Sequence, residues 1–325
     1  MRIVFLGTPG FATPSLAALA ARFDVALVVA QPDRPQGRGR AVGPPPVKTR
    51  AFDLGLACMQ VEKPNAPGAV AALAKVEADL FVVVAYGALL SPALLAVPRL
   101  GAVNLHASLL PAYRGASPIQ AALLDGLDTT GNSTMWMAEG LDTGDVILQR
   151  ALPVGVDENA GELSARLSED GAKLLLETVE RIEVGDAPRA PQDHARASVT
   201  KKIRKEDGWL DFTQPARRVH DRARAMTPWP GAVALYDGNP VRLERTRVLP
   251  EEEIETGVRP EPGAIHDEEP LGGLTVVCGT GAIEVLRVRP AGRNEMNARD
   301  WWRGLRSGKG SAPRFTTPSR SKENT

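Results

Sequence analysis

Four short apolar runs separated by helical patterns constrain the fold of this chain more than any other feature: Arg2 to Gly7, Asp24 to Ala30, Asp79 to Ala85 and Leu100 to Leu105. Strands that read as unbroken Val, Ile and Leu, without alternation, are buried on both faces, as in a parallel α/β sheet. Between the first two runs, Thr13 and Pro14 supply an N-cap followed by proline at the first helical position. Leu16, Leu19 and Ala20 then keep one apolar face, so the opening reads as a βαβ unit. Pro118 to Leu124 and Gly161 to Arg181 predict further helices, and Asn132 to Met137 and Val146 to Leu152 further strands.

The texture then changes. Ala187 to Thr200 lose periodicity and become rich in Pro, Arg and Ala, which predicts a linker, placed at 190–206, between a first domain of residues 1–189 and a second of 207–308. In the second, a helix over Pro215 to Ala225 precedes short strands at Ala232 to Tyr236, Val241 to Leu249, Leu274 to Cys278 and Ala282 to Val288. With Trp209 to Phe212 as a fifth strand, this pattern predicts a small β-barrel or sandwich. Residues 309–325 read as a polar, frayed tail. A chain of 325 residues accommodates two such cores, and 43% hydrophobic residues suffice to fill them.

Gln31 to Val47 has no apolar period and five prolines, and is expected to be an exposed, mobile loop of the kind that carries function. Formal net charge is zero, which argues against unselective coating of nucleic acid, but the charge is unevenly spread. Residues 34 to 50 carry Arg34, Arg38, Arg40, Lys48 and Arg50 with no acid; residues 196 to 224 hold nine Lys or Arg, Lys201, Lys202, Arg204 and Lys205 among them, against four acids. A polyanionic partner touching two separate patches fits this pattern, as does a solvated basic surface. The longest apolar run at the start is too short for a signal peptide, no stretch approaches a membrane span, and a cytoplasmic protein is expected. Cys58 and Cys278 stand far apart without metal-ligand spacing and are expected to pack as small apolar groups; no metal site is expected.

Two short stretches carry chemistry. Asn104 and His106, two apart at the end of an extended run, point to one side of their strand and leave the sheet at its carboxyl edge, where open α/β folds bind ligands. An amide donor beside an imidazole suits acyl transfer, supplying a donor for an oxyanion and a group that exchanges protons near neutral pH. Gly140-Leu141-Asp142-Thr143-Gly144-Asp145 makes a tight turn between two predicted strands, from which Asp142 can reach His106 and fix its tautomer. The plainer alternative is that the aspartates only bond their own turn. Gly7-Thr8-Pro9-Gly10 has the wrong spacing for a dinucleotide fingerprint, which disfavours a nicotinamide cofactor.

With those residues in view, the chain resembles the methionyl-tRNA formyltransferase family of folate-dependent formyltransferases. The resemblance rests on FLGTPGFA (5 to 12), QPDRPQGRGR (31 to 40), VVVAYG (82 to 87), NLHASLLPAYRGASPIQ (104 to 120), EGLDTGD (139 to 145), PWPGA (228 to 232) and RPAGRNEM (289 to 296). It implies a Rossmann-like doubly wound parallel sheet with a smaller C-terminal OB-like β-barrel. It implies Asn104, His106 and Asp142 as the catalytic three, Ser108, Leu109, Leu110 and Pro111 as a folate-binding loop, and Val84, Ala85, Tyr86 and Gly87 as backbone lining of a pterin pocket. It places Arg38 against an acceptor stem, with Arg40, Lys201, Lys202, Arg204 and Lys205 as further tRNA-binding residues. The implied reaction moves the formyl group of 10-formyltetrahydrofolate, without a metal, to the amino group of methionyl initiator tRNA, in a protein expected to be a monomer. The alternatives are an N-formyltransferase acting on an amino sugar nucleotide and a non-catalytic nucleic-acid-binding module. Gly10 and Trp136-Met137-Ala138 depart from the family pattern without touching a proposed catalytic group.

Overall fold

The computed structural model describes residues 1–36, 41–250, 261–266, 272–305 and 313–318. They form two compact units. The first comprises Met1–Pro118, Thr129–Pro153 and Ser164–Lys201; the second comprises Ile119–Asp128, Val154–Leu163 and Lys202–Thr325.

The strands of the first unit are β1 (Arg2–Gly7), β2 (Asp24–Ala30), β3 (Arg34–Gln36), β4 (Ala41–Gly43), β5 (Cys58–Gln60), β6 (Leu80–Val84), β7 (Ala102–His106), β8 (Arg114–Gly115), β9 (Thr129–Trp136), β10 (Val146–Pro153) and β11 (Val199–Thr200). Its main sheet runs β10-β9-β7-β6-β1-β2-β5. The five strands from β5 to β7 are parallel, and β9 and β10 are added antiparallel. Helices α1 (Thr13–Ala20) and α2 (Pro46–Asp53) follow β1 and β4, α3 (Pro67–Ala74) and α4 (Pro92–Leu95) flank β6, and α5 (Pro118–Leu124) and α6 (Ala160–Val184) follow β8 and β10. One face of the sheet packs Ile3, Phe5, Val82 and Leu105 under Leu16, Val47, Leu175 and Val179; the other packs Leu6, Phe81 and Val83 under Leu73 and Leu94. Strand order reverses between β1 and β6, so the doubly wound expectation holds and the switch point opens above Gly7 and Val84.

β9 begins three residues before its predicted start. Thr130, Asn132, Ser133 and Thr134 are buried polar residues that hide a strand from a hydrophobicity reading. Asn132 and Thr134 find partners on α6: the Asn132 amide nitrogen donates to Leu167 O and to Asp170, and Thr134 and Thr178 hydroxyls meet at 2.7 Å. Gly171 on α6 lies against Leu105, where a β-carbon would sit 2.8 Å from its Cδ2.

Two expectations are corrected here. Gln31 to Val47 is not a loop throughout: β3 and β4 pair antiparallel, Pro46 opens α2 and Val47 is fully buried. Proline at a first helical position starts a helix as readily as proline clusters mark a loop. Arg38 and Arg40 lie outside the described residues. Lys48 is not a free cation either; its ammonium bonds Asp33 at 2.9 Å, just outside the basic window. Cys58 is exposed, not packed inside, because β5 is a short edge strand; Cys278 is buried as expected.

In the second unit, α7 (Ala216–Met226) precedes β12 (Val233–Tyr236), β13 (Asn239–Val248), β14 (Ile265–His266), β15 (Leu274–Val277), β16 (Ala282–Pro290), β17 (Met296–Asn297), α8 (Ala298–Arg303) and β18 (Phe315–Thr316). The antiparallel order is β14-β15-β16-β13-β12-β18, and a bridge between Ala264 and Arg314 brings its two ends together as an OB-like barrel. Trp209 to Phe212 is not a strand: Asp211 accepts from the amide and hydroxyl of Thr213 and turns the chain after a single bridge at Trp209. Within the segment read as a tail, Phe315 is buried, stacked on Trp301 and edge-on to Tyr236, so an aromatic cluster draws β18 into the barrel.

Candidate active site

The register of β7 carries Asn104 opposite Val83 of β6 and Met135 of β9, and His106 opposite Ser133. Val103 and Leu105 face the core under α6, so Asn104 and His106 face the other side at the carboxyl edge. Among the described residues, the Asn104 side chain has no hydrogen-bond partner and is only half-buried. Its amide is free to donate.

His106 is 6% exposed and Asp142 8% exposed, and they face each other with Nδ1 to Oδ2 at 3.6 Å. The other ring nitrogen, Nε2, lies 2.9 Å from the Tyr113 carbonyl. Both nitrogens therefore look at acceptors, an arrangement that an imidazolium satisfies with two N–H groups and a neutral ring with one. Asp142 Oδ2 also accepts from the Gly115 amide at 2.7 Å. His106 and Asp142 are thus together as the sequence suggests, with Asn104 beside them on the same face. Tyr113 and Gly115, which act here through backbone atoms, leave no such sign in the sequence.

Backbone geometry concentrates here. Among the described residues, five non-glycine residues have positive φ, and Ala85, Tyr113 and Asp142 are three of them. Ala85 follows β6 at the switch point. Thr8 Oγ1 donates to Tyr86 O at 2.8 Å, and the Tyr86 ring turns inward, its hydroxyl 3.0 Å from Val61 O. Burial raises the Tyr86 phenol above its ordinary value. Val84 to Gly87 thus offers backbone and open space, since a β-carbon on Gly87 would meet nothing within 4 Å.

The loop after β7 is tied to the sheet. Ser133 Oγ donates to Ser108 O at 2.6 Å and accepts from Leu110 N at 3.0 Å, and Gln149 donates to Leu110 O at 2.8 Å. Ser108 is fully buried with its hydroxyl donating to Ala112 O, so its side chain holds the loop shape, and Leu109 and Pro111 are left as the partly exposed members. Lys201, Lys202, Arg204 and Lys205 are all exposed, and among the described residues none of their side chains pairs with a carboxylate. Among the described residues, no group of three His, Cys, Asp or Glu could hold a metal ion, and no helix is long and apolar enough to cross a membrane.

Comparison with known proteins agrees with this architecture. Residues 1–179 match the family described as formyl transferase, and residues 202–306 match the formyl transferase C-terminal domain. The chain is 41% identical over 307 residues to methionyl-tRNA formyltransferase of Geobacter metallireducens, covering 94% of this chain and 96% of that one. It is 43% identical over 305 residues to the enzyme of the same name from Symbiobacterium thermophilum, covering 94% and 92%. Among solved structures, the fold is shared with WlaRD, a sugar 3N-formyl transferase, at TM-score 0.64 and 14% identity over 90% of this chain and 99% of that one. It is also shared with HypX from Aquifex aeolicus in complex with tetrahydrofolic acid, at TM-score 0.61 and 16% identity over 98% of this chain and 51% of that one. With both family models matched in order and two-fifths identity sustained from end to end, the chain belongs to the methionyl-tRNA formyltransferase family.

Proposed function

We propose that this chain transfers the formyl group of 10-formyltetrahydrofolate to the amino group of methionyl initiator tRNA. The observation that carries the reading is the partnerless Asn104 amide on the same strand face as a His106 ring that Asp142 meets at 3.6 Å. The folate supplies a formyl carbon bonded to nitrogen. The backbone of Val84 to Gly87, with open space at Gly87, and the apolar surface of Leu109 and Pro111 fit a flat heteroaromatic ring, and would hold it.

The ester lowers the aminoacyl amine below the ordinary α-amino value of about 8, so much of it is already neutral near pH 7 and no strong base is needed. As its nitrogen bonds to the formyl carbon, negative charge gathers on the formyl oxygen, and that charge returns to re-form the carbonyl as the bond to the folate nitrogen breaks. Asn104 donates to that oxygen. The proton leaving the amine passes to the departing folate nitrogen, beside the His106 ring that Asp142 and Tyr113 O hold in place.

Under this reading, the reacting groups lie within residues 1–189, and 207–308 bind tRNA. Arg38, Arg40, Lys201, Lys202, Arg204 and Lys205 meet tRNA phosphates. The enzyme works as a cytoplasmic monomer without a metal. The test is a formyl-transfer assay offering charged initiator tRNA, uncharged initiator tRNA and an amino sugar nucleotide side by side. Transfer to the charged tRNA alone is expected. Transfer to the sugar, or tRNA binding without any transfer, overturns the reading.

A further inference from the structure

We infer that the segment from Ala190 to Thr200 is a working part of the catalytic centre, with Gln192 as the residue that positions Asp142 and Ser198 as the residue that positions the Tyr113 carbonyl. This rests on His106 and Asp142 being the catalytic pair.

The sequence of this segment carries no periodicity, yet it is bound throughout to the first unit. Val146 and Ala190 exchange two backbone hydrogen bonds, at 2.9 and 3.0 Å. Trp136 Nε1 donates to Pro188 O at 3.2 Å, and the Arg189 guanidinium lies 4.1 Å over its ring, fixing where the segment starts. At the far end β11 pairs with β8 in parallel, and Thr200 Oγ1 donates to Arg114 O and accepts from Ser117 N.

Gln192, 8% exposed, uses its whole side-chain amide on this centre. Its Nε2 donates to Asp142 O at 3.0 Å and to Gly144 O at 2.6 Å. Its Oε1 accepts from Arg114 Nε at 3.1 Å and Nη2 at 2.7 Å. Arg114 is itself buried and adjoins Gly115, whose amide holds the Asp142 carboxylate. One amide thus grips the Asp142 turn from behind, where φ is 53°, and ties it to the strand that meets the carboxylate from in front.

Ser198 does the equivalent for the histidine. Its Oγ accepts from Tyr113 N at 2.8 Å and its carbonyl accepts from Arg114 N at 2.8 Å, holding the residue whose carbonyl faces His106 Nε2. The Tyr113 carbonyl and the Gly115 amide, which meet the two catalytic side chains, are therefore both set by the 190–200 segment. Relaxing that hold displaces the pair by fractions of an ångström without touching a substrate surface. Misplacement on the order of 1 Å costs about 10²-fold in rate.

The experiment is steady-state formyl transfer to charged initiator tRNA by the full chain carrying Gln192→Met, Gln192→Glu or Ser198→Ala, with His106→Ala in parallel. Gln192→Met keeps the volume and removes the hydrogen-bonding amide. Gln192→Glu keeps the pairing with Arg114 and turns the two donations into repulsion, and Ser198→Ala is a surface change that leaves folding secure. The expected result is a kcat about 10- to 100-fold lower for both Gln192 variants, and a smaller loss for Ser198→Ala, with KM for folate and for tRNA within about twofold. Folded fraction is read by circular dichroism, and kcat is expressed per folded molecule. The inference is overturned if folded variants keep kcat within about threefold of the parent while His106→Ala is inactive, or if KM rises and kcat does not. If His106→Ala stays active, the reading of the pair falls and this inference with it.

Discussion

Gly144 presses against the carbonyl of Trp136 so closely that a β-carbon there would stand 1.7 Å from Trp136 O. The second glycine of the Gly-Leu-Asp-Thr-Gly-Asp turn is therefore required by the approach of β9, across which Asp145 O takes the Trp136 amide. Gly144→Ala forces the turn outward and with it Asp142. We expect a loss of about 1–3 kcal/mol in urea denaturation, together with a fall in turnover larger than the fraction unfolded explains.

Asn104→Ala and His106→Ala should bind folate, measured by fluorescence or calorimetry, with affinity close to the parent. Turnover should fall about 10²- to 10³-fold for each, the range for removing one oxyanion donor or proton-transfer group. Near-normal turnover by either variant removes that residue from the mechanism.

His220 in the barrel unit is fully buried, its Nδ1 2.9 Å from Thr246 Oγ1 and its Nε2 3.1 Å from Val156 O. Burial lowers its pKa below the ordinary 6.5 and outweighs the opposing pull of the Val156 carbonyl and Asp157. The unfolded chain then binds a proton that the folded one resists. The contribution is complete above pH 6.5 and is lost as pH falls towards the lowered folded value. Unfolding followed by tryptophan fluorescence should show stability falling as pH drops below about 6.5, by about 1.4 kcal/mol per pH unit at most. His220→Gln should flatten that slope, and an unchanged slope would assign it elsewhere.

The two thiols should differ in reactivity. Burial pushes Cys278 up to about 12, whereas Cys58 is exposed and its thiol is raised by partial desolvation. Iodoacetamide at about pH 8 should modify Cys58 slowly and leave Cys278 intact in the native protein, as peptide mass mapping will show. Labelling of both at one rate would mean the barrel opens readily.

Replacing Lys201, Lys202, Arg204 and Lys205 together by alanine should raise KM for tRNA and leave folate binding unchanged. The plot of log affinity against log salt should flatten by about 0.7–0.9 for each phosphate that the variant no longer neutralises. Arg38→Ala should act the same way, and equal damage to folate binding would make its loop structural.

Much of the fold was legible because buried parallel strands announce themselves: β1 and β2 begin and end where the runs of Arg2 to Gly7 and Asp24 to Ala30 do. Asn104 and His106 were legible as a pair because strand alternation fixes their common face, and Asp142 because two glycines bracket it. What was not legible works through the backbone or through distant partners. The Tyr113 carbonyl and the Gly115 amide carry no side-chain signal, and Gln192 stands fifty residues from the carbonyl it holds, in a stretch without period. Likewise the polar face of β9 makes sense only beside the Asp170 and Thr178 of α6 that satisfy it.

Ala85, Tyr113 and Asp142 hold left-handed backbone at φ of 48°, 58° and 53°, conformations that cost non-glycine residues on the order of 1–3 kcal/mol each. The edge where the reaction is assigned thus gathers most of the left-handed non-glycine backbone found among the described residues. Selection for heat resistance alone would drift towards glycine at these three positions, hardening the molecule while blunting it. A thermotolerant descendant that keeps its speed must therefore gain its robustness elsewhere, for example in the barrel or along α6.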